Sequence, residues 1–319
     1  MPEIRAYRVG DEAGIRRLFE ICHKRPLDLD VWRWRYARGP EGSPVTMVAV
    51  DGGELVGHVS ALPVRLERGS RAVKAGLWVD LMIAPSHRNL TLFLDLADAD
   101  RRRCAETGVE LLFAFPNGKS FPVLKRMLGW VDGGDIVALE GALSSLRPPK
   151  AAGPQAETLA DFGAEFDELW SRLRPQGRLC GAREAERLNW RYRARPRSNY
   201  PAWSVRGAPG RLEGFLVAKV FDGPQGRVGD ILDFWTEPKG PSAASLLTAA
   251  FDHFKKENVA TVSAWALEGT AQRAAFEACG LAPGADRTHF AGRWTAEREP
   301  GFPARHADWS LFKGDSDVF

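Results

Sequence analysis

The sequence predicts a mixed α/β protein (α+β) made of two tandem domains, each with a mixed central sheet flanked by helices. Its 319 residues are about twice the length of an average domain. The motif Trp34-Arg35-Tyr36 recurs 156 residues later as Trp190-Arg191-Tyr192. The first copy orders its elements as two helices, several strands and then strand–helix–strand–helix–strand, which favours a mixed sheet over a doubly wound one.

The elements of the first copy follow from the spacing of its apolar residues. Apolar residues at helical spacing predict helices over 12–22, 27–36, 89–107 and 121–128. Apolar and β-branched runs between turn residues predict strands over 45–50, 54–62, 64–67, 72–74, 77–83, 111–115 and 136–140. The turn Asp51-Gly52-Gly53 predicts a hairpin between the first two strands, and Gly108 and Gly129 end the last two helices.

Other landmarks of the repeat keep the same order in both copies. The matching pairs are Gly57 and Gly214, Asp80 and Asp233, Pro85 and Pro238, and the segments Leu128-Gly129-Trp130 and Cys279-Gly280-Leu281. The offset between the copies falls to 151 residues at the last pair, as expected after small deletions in the second copy. We therefore expect an N-terminal domain over residues 1–143, a Pro-containing linker over 144–159 and a C-terminal domain with a tail over 160–319.

Composition excludes several function classes. The net charge of +3, from 44 basic and 41 acidic residues, is smaller than nucleic-acid-binding domains usually carry. Apolar runs such as Val45 to Val50 are too short to span a membrane. Residues Met1 to Arg5 lack the basic start and apolar stretch of a signal peptide, so we expect a cytoplasmic protein. The four cysteines lie far apart and predict reduced, mostly buried thiols rather than disulfides, and no metal site.

The segment after the central strand carries a family resemblance. Pro85-Ser86-His87-Arg88 leads into a helix, Phe115-Pro116-Asn117 follows a later strand, and Met127-Leu128-Gly129-Trp130 ends the next helix. This order resembles the GNAT acyltransferases (Gcn5-related N-acetyltransferases) over most of residues 1–140 and more faintly over 160–295. The resemblance implies a tandem GNAT protein that uses acetyl-CoA or another acyl-CoA. The sequence around Trp309, Leu311 and Gly314 looks like the end of the same subgroup.

The resemblance implies a cofactor site in the first copy. A helix N-terminus with unbonded N–H groups suits the doubly negative pyrophosphate of CoA. The residues expected to form this loop are Arg88, Asn89, Leu90, Thr91, Leu92 and Phe93, in which Thr91 and Phe93 replace the small residues of the family motif. Thr91 is expected to cap the helix. The backbone from Leu81 through Met82, Ile83 and Ala84 would meet the thioester and pantetheine, together with the side chains of Asn117 and Ser120.

Two side chains are candidates for catalysis. Asp80 lies on the central strand as either a general base or an amine-anchoring carboxylate, and the alternative is a structural Asp bonded to the backbone or to the Trp-Arg-Tyr motif. His58, on a strand expected to face the cleft, is the second candidate, and His87 lies beside the phosphate loop. The family often places a Tyr acid four residues before the glycine of the last helix, but this chain has Lys125 there.

These observations predict an N-acyltransferase. The acyl group would pass by direct attack to an amine of a small molecule or amino sugar, with no nucleic-acid or membrane partner, and the oligomeric state stays open. Two alternatives remain: a catalytically silent GNAT-like binding protein, and an aminoacyl-transferase related to the peptidoglycan-bridge enzymes. The second copy is expected to be degenerate, because its loop over 236–244 has Glu237 and lacks the arginine.

Overall fold

A computed structural model describes residues 1–37, 39–150, 153–237, 242–296 and 301–316. The chain divides into two compact units. The first unit comprises Met1–Leu66, Ala72–Gly134 and His289–Ala304, and the second comprises Glu67–Arg71, Asp135–Thr288 and Arg305–Phe319. Each unit contains a mixed sheet with helices, as the sequence predicts.

The sheet of the first unit holds the elements that form the candidate site. Its strands are β1 (Glu3–Ala6), β2 (Val45–Asp51), β3 (Glu54–Arg68), β4 (Arg71–Ile83) and β5 (Leu111–Ala114). β1, β2 and β3 are antiparallel neighbours, and β4 and β5 are parallel. β1 was not predicted, and β3 and β4 each join two runs that the sequence analysis kept apart.

The helices of the first unit are α1 (Glu12–His23), α2 (Leu29–Ala37), α3 (Leu90–Glu106) and α4 (Phe121–Met127). Leu18 of α1 and Leu92 and Leu96 of α3 are buried in one cluster with strand residues such as Val59. Burial of this apolar surface is the main force that holds the helices on the sheet. It also sets α3 at the end of β4, after a short 3-10 turn at Pro85–His87.

The second unit repeats this plan. Its strands are β6 (Val131–Ala142), β7 (Glu157–Thr158), β8 (Cys180–Gly181), β9 (Ala202–Arg206), β10 (Leu212–Gly223), β11 (Gly226–Thr236) and β12 (Thr261–Ala264). Its helices are α5 (Glu165–Leu173), α6 (Ala185–Tyr192), α7 (Ser242–Lys256) and α8 (Ala271–Ala278). β9, β10 and β11 are antiparallel neighbours, and β11 and β12 are parallel.

The sheet of each unit includes a strand that belongs to the other copy in the sequence. Residues Ala291 to Trp294 of β13 (Ala282–Trp294) pair with β5 inside the first unit, although they follow the second copy in sequence. Residues Leu139 to Ala142 of β6 pair with β12 inside the second unit. The compact units therefore differ from the contiguous division at 1–143 and 160–319, because a sheet can be completed by a strand from any part of the chain.

The structure also bears on the expectations about membrane-spanning segments and about the cysteines. None of the described helices is long and apolar enough to cross a membrane. Cys104, Cys180 and Cys279 are buried free thiols and Cys22 is partly buried, as predicted. Burial raises the pKa of Cys279 to about 11, which keeps this thiol protonated at neutral pH.

Candidate active site of the first unit

The pairing of the parallel strands β4 and β5 in the first unit ends before β4 does. Their ladder pairs Ala75 with Leu111, Gly76 with Leu112 and Leu77 with Phe113, and stops there. β4 continues to Ile83 beyond this ladder. We call residues Trp78 to Ile83 of β4 the strand opening. In this part of β4 the backbone is not paired with β5. Met82 and Ile83, at the end of β4, and Ala84, which follows them, are buried.

The N-terminus of α3 lies just after this strand opening. The Asn89 side chain accepts a hydrogen bond from the Leu92 N–H at 2.8 Å and thereby caps the helix. The prediction that Thr91 caps the helix is wrong, because Thr91 already lies within the first turn. Among the described residues, no acceptor takes the N–H groups of Leu90 and Thr91. Both side chains are exposed, so these donors and the positive end of the helix dipole are available to an anion.

Arg88 and the end of β4 are held together. The Arg88 Nε donates to the Ile83 carbonyl at 3.2 Å, while the residue as a whole is exposed. The Ala84 N–H donates to the Val56 carbonyl at 2.8 Å. Arg88 is thus a cation fixed between the strand opening and the α3 N-terminus. Phe93, at the last motif position, is partly buried against the core cluster of the first unit.

Asp80 interrupts the regular path of β4. Its φ of +51° is in the left-handed region, which is unusual for a residue other than glycine. Its carboxylate accepts a hydrogen bond from the Tyr36 hydroxyl at 2.5 Å and an ion-paired one from Arg35 at 3.4 Å. Burial alone would raise the pKa of Asp80, but the Arg35 charge and the Tyr36 hydrogen bond lower it below its usual value. Asp80 therefore remains a carboxylate bonded to the Trp-Arg-Tyr motif.

His58 lies next to Asp80 and is fully buried. Its Nδ1 lies 2.8 Å from the Asp80 carbonyl oxygen. Because a carbonyl only accepts, Nδ1 carries the proton and the neutral ring has its lone pair on Nε2. The Nε2 atom is buried without a hydrogen-bond partner among the described residues. Burial lowers the pKa of His58, so the imidazole is neutral at pH 7 and has an unused proton acceptor.

The other predicted side chains lie in local hydrogen-bond networks. The Asn117 side-chain oxygen accepts from the Lys119 and Ser120 N–H groups at 3.0 Å each, so it is Asn117 that shapes the turn into α4. The Ser120 hydroxyl donates back to the Asn117 carbonyl. Lys125, at the position of the family Tyr, pairs with Asp132 at 2.6 Å. These contacts use the side-chain oxygen of Asn117 and not its side-chain nitrogen.

His87 is not part of the Asp80 cluster. Its Nε2 lies 3.1 Å from an Asp51 carboxylate oxygen, and its Nδ1 lies 2.9 Å from the Ser86 hydroxyl. Tyr36 is the functional candidate that the sequence analysis missed, since it treated the Trp-Arg-Tyr motif as a landmark of the repeat. The signal was present in the sequence, because both copies carry this motif 41 to 44 residues before the aspartate.

The second unit has the same pair without the histidine. The Tyr192 hydroxyl donates to Asp233, as Tyr36 does to Asp80. The Glu237 N–H donates to the Glu213 carbonyl, as Ala84 does to Val56, and this alignment places buried Phe215 where the first unit has His58. Residues 238–241 of the predicted second loop lie outside the described residues. The hydroxyl of Ser242, the first residue of α7, donates to the Glu213 carboxylate.

Part of the chain matches a known protein family. Residues 3–130 match the family model of the acetyltransferase (GNAT) domain. No curated protein matches the chain significantly. The strand opening and the α3 N-terminus described above lie within the matched residues.

Solved structures extend the fold likeness over the whole chain. A GCN5-related N-acetyltransferase from Anabaena variabilis is 15% identical, with a TM-score of 0.71 over 93% of this chain and 73% of its own. A tandem GNAT protein from the clavulanic acid biosynthesis pathway is 16% identical, with a TM-score of 0.62 over 94% of this chain and 100% of its own. N-myristoyltransferase from Saccharomyces cerevisiae, with bound myristoyl-CoA, is 12% identical, with a TM-score of 0.59 over 94% and 80%. Over most of its length the chain therefore has the fold of GNAT proteins, a tandem GNAT protein among them.

Proposed function

We propose that the protein is an N-acyltransferase that moves an acyl group from acetyl-CoA or another acyl-CoA to an amine of a small molecule or amino sugar. The first unit would carry the reaction. The observation that supports this most strongly is the coincidence of three features within one GNAT domain: the β4–β5 strand opening, the unbonded N–H groups that begin α3, and the Asp80–Tyr36–His58 cluster.

In this proposal the cofactor is held mainly by backbone. The pyrophosphate accepts hydrogen bonds from the N–H groups of Leu90 and Thr91, and Arg88 supplies a positive charge beside them. The Cβ of Thr91 lies where the family has glycine, so close approach of the phosphate costs more here than with an intact motif. The backbone of Met82 to Ala84 and the Asn117 amide would hold the pantetheine.

The chemistry is a direct aminolysis. The nitrogen of a neutral amine attacks the thioester carbon, a C–N bond forms, the C–S bond breaks, and the amine proton must leave. Asp80 is a poor base because its pKa is lowered, so we assign it the task of holding the amine close to the thioester. His58 is neutral and has an unbonded Nε2, so we assign it as the acceptor of the amine proton, through a water or a bound group because it is buried. The CoA thiolate leaves and takes a proton from solvent, and His58 returns the amine proton to solvent.

The first experiment measures cofactor binding by calorimetry. Acetyl-CoA should bind the wild-type protein, and Arg88→Ala should weaken binding by about 10-fold, as expected for loss of one charge-assisted contact. Arg102→Ala is the matched control, because Arg102 is an exposed arginine on α3 whose described partner is Asp98. Equal effects of the two substitutions would show that the site is wrongly placed, and no binding at millimolar ligand would rule out the acyl-CoA proposal.

The second experiment measures turnover by thiol release across a panel of amines. His58→Phe introduces the residue that the second copy already accommodates, and it should lower kcat by about 100-fold or more with the acetyl-CoA affinity unchanged. Asp80→Asn should mainly raise KM for the amine. An unchanged kcat in the His58 variant would exclude the base assignment.

A silent binding protein is the second candidate, and the departures at Thr91, Phe93 and Lys125 favour it. It predicts acetyl-CoA binding with no thiol release for any amine. A peptidoglycan-bridge type of aminoacyl transfer receives no support from the described residues, since α3, with 17 residues, is the longest described helix and no long helical arm is described.

A further inference from the structure

The second unit contains the counterpart of the strand opening, but a segment of the chain lies on it. β11 and β12 pair from Val228 with Thr261 to Ile231 with Ala264, and β11 then continues to Thr236. The inserted segment, defined as Phe312 to Ser316, contains a 3-10 turn at Lys313–Asp315 that packs on β11. All of its residues are buried.

Lys313 is held by two strand residues that face each other. Its Nζ lies 2.5 Å from an Asp230 carboxylate oxygen and donates to the Ser263 hydroxyl at 2.7 Å. Asp230 and Ser263 are partners in the β11–β12 ladder, and the partners at the same register of the β4–β5 ladder are Leu77 and Phe113. The polar pair Asp230 and Ser263 is therefore specific to the second unit, where it binds the buried Lys313 ammonium.

The rest of the inserted segment is bonded to the aspartate cluster of the second unit. The Arg191 guanidinium donates to the Gly314 and Ser316 carbonyls at 3.3 and 3.2 Å. The Arg183 guanidinium donates to Asp233 and Asp315 at 2.8 Å each. These contacts involve Arg191, the counterpart of Arg35, and Asp233, the counterpart of Asp80.

Gly314 fits only because it has no side chain. A Cβ at this position would lie 2.8 Å from an Asp233 carboxylate oxygen and 3.0 Å from the Leu232 carbonyl, and it would also overlap the Tyr192 hydroxyl. The Phe312 ring packs on Trp235 with centroids 5.1 Å apart. Solvent therefore reaches the two aspartates to different extents: the Asp80 side chain is 20% exposed, whereas that of Asp233 is 2% exposed.

We infer that the second unit contains a built binding site for a Lys-Gly-Asp peptide segment, and that the chain fills this site with its own residues Phe312 to Ser316. The inserted segment covers the second Tyr–Asp pair and keeps amines away from it. The inference rests on the contacts within the second unit. Its corollary, that each chain uses acyl-CoA in the first unit alone, rests on the proposed function.

The test is the rate at which each lysine reacts with an amine-acetylating reagent on the native chain, read by mass spectrometry. Lys313 should react at least about 100-fold more slowly than Lys255, which is in the same unit and 63% exposed. Gly314→Ala should bring Lys313 towards the rate of Lys255 by displacing the segment. Gly177→Ala is the matched control, because an added Cβ there meets nothing within 4 Å.

Each outcome decides the inference. Three results together support the inference: Lys313 is labelled slowly in the wild-type chain, Gly314→Ala accelerates this labelling, and saturating acetyl-CoA leaves it unchanged. Rapid labelling of Lys313 in the wild-type chain, or acceleration by acetyl-CoA, overturns it. If Gly314→Ala does not fold, Asp230→Asn serves as the releasing variant. Calorimetry without acetyl-CoA binding would refute the proposed function, while the labelling rates without ligand would still decide the inference.

Discussion

Removing Arg183 should destabilise the protein far more than removing an exposed arginine with an ion pair of the same length. Arg183 is 4% exposed and lies 2.8 Å from both Asp233 and Asp315, whose side chains are 2% and 5% exposed. Arg183→Leu leaves two carboxylates without a cation in a region that excludes water. Breaking a buried pair in this way costs about 3–5 kcal/mol of unfolding free energy.

The matched control is Arg206 in the same unit. It also lies 2.8 Å from its partner, Glu165, but these side chains are 40% and 37% exposed. Water and counterions replace such a pair at little cost, so Arg206→Leu should cost about 1 kcal/mol or less. The distance is the same in both pairs, so the difference between the variants measures burial.

The assay is urea unfolding followed by tryptophan fluorescence at pH 8 and pH 5. Burial raises the pKa of Asp233, and loss of Arg183 raises it further. A folded-state pKa above the unfolded value means that stability falls as pH rises, so the penalty should be larger at pH 8. Combining Arg183→Met with Asp233→Asn and Asp315→Asn should recover part of the loss. Equal penalties for the Arg183 and Arg206 variants would refute the reasoning.

Three further predictions follow from single side chains of the first unit. Asp100 is buried and accepts a hydrogen bond from Trp78 at 2.8 Å, and burial raises its pKa to about 7. The free energy of unfolding should therefore fall as pH rises from about 4 to 7. Asp100→Asn should flatten that slope in urea titrations. Asn89→Ala should cost about 1 kcal/mol, read as a lower Tm, because it removes the cap on Leu92. Burial lowers the pKa of His58, so stability should fall as pH drops below about 6.5, and His58→Phe should remove this component.

The sequence predicted the helices and most of the strands of the first copy, but it predicted neither β1 nor the strand that completes each sheet. The helices, the hairpin at Asp51-Gly52-Gly53 and the register of the repeat follow from local residue patterns. The pairing of Ala291 to Trp294 with β5 does not, because short apolar strands carry no mark of a distant partner. Local pattern also misplaced the cap of α3, since both Asn89 and Thr91 are acceptable capping residues.

The candidate site was partly predictable. Asp80 was a candidate from its place in an apolar strand, and one of its two predicted interpretations, bonding to the Trp-Arg-Tyr motif, agrees with its contacts to Arg35 and Tyr36. The unused Nε2 of His58 could not be foreseen, because it depends on which neighbours surround a buried ring. The binding site for Lys313 was also out of reach, since it needs the register that sets Asp230 opposite Ser263.

The central claim is that acyl-CoA binds in the first unit and not in the second. Hydrogen–deuterium exchange of the full chain with and without acetyl-CoA tests it most directly, because each peptide reports on its own unit. We predict slower exchange in residues 78–93 and 114–121 on binding, and no change in residues 228–236 and 312–316. Protection of β11 and the inserted segment, with none around the start of α3, would contradict the account.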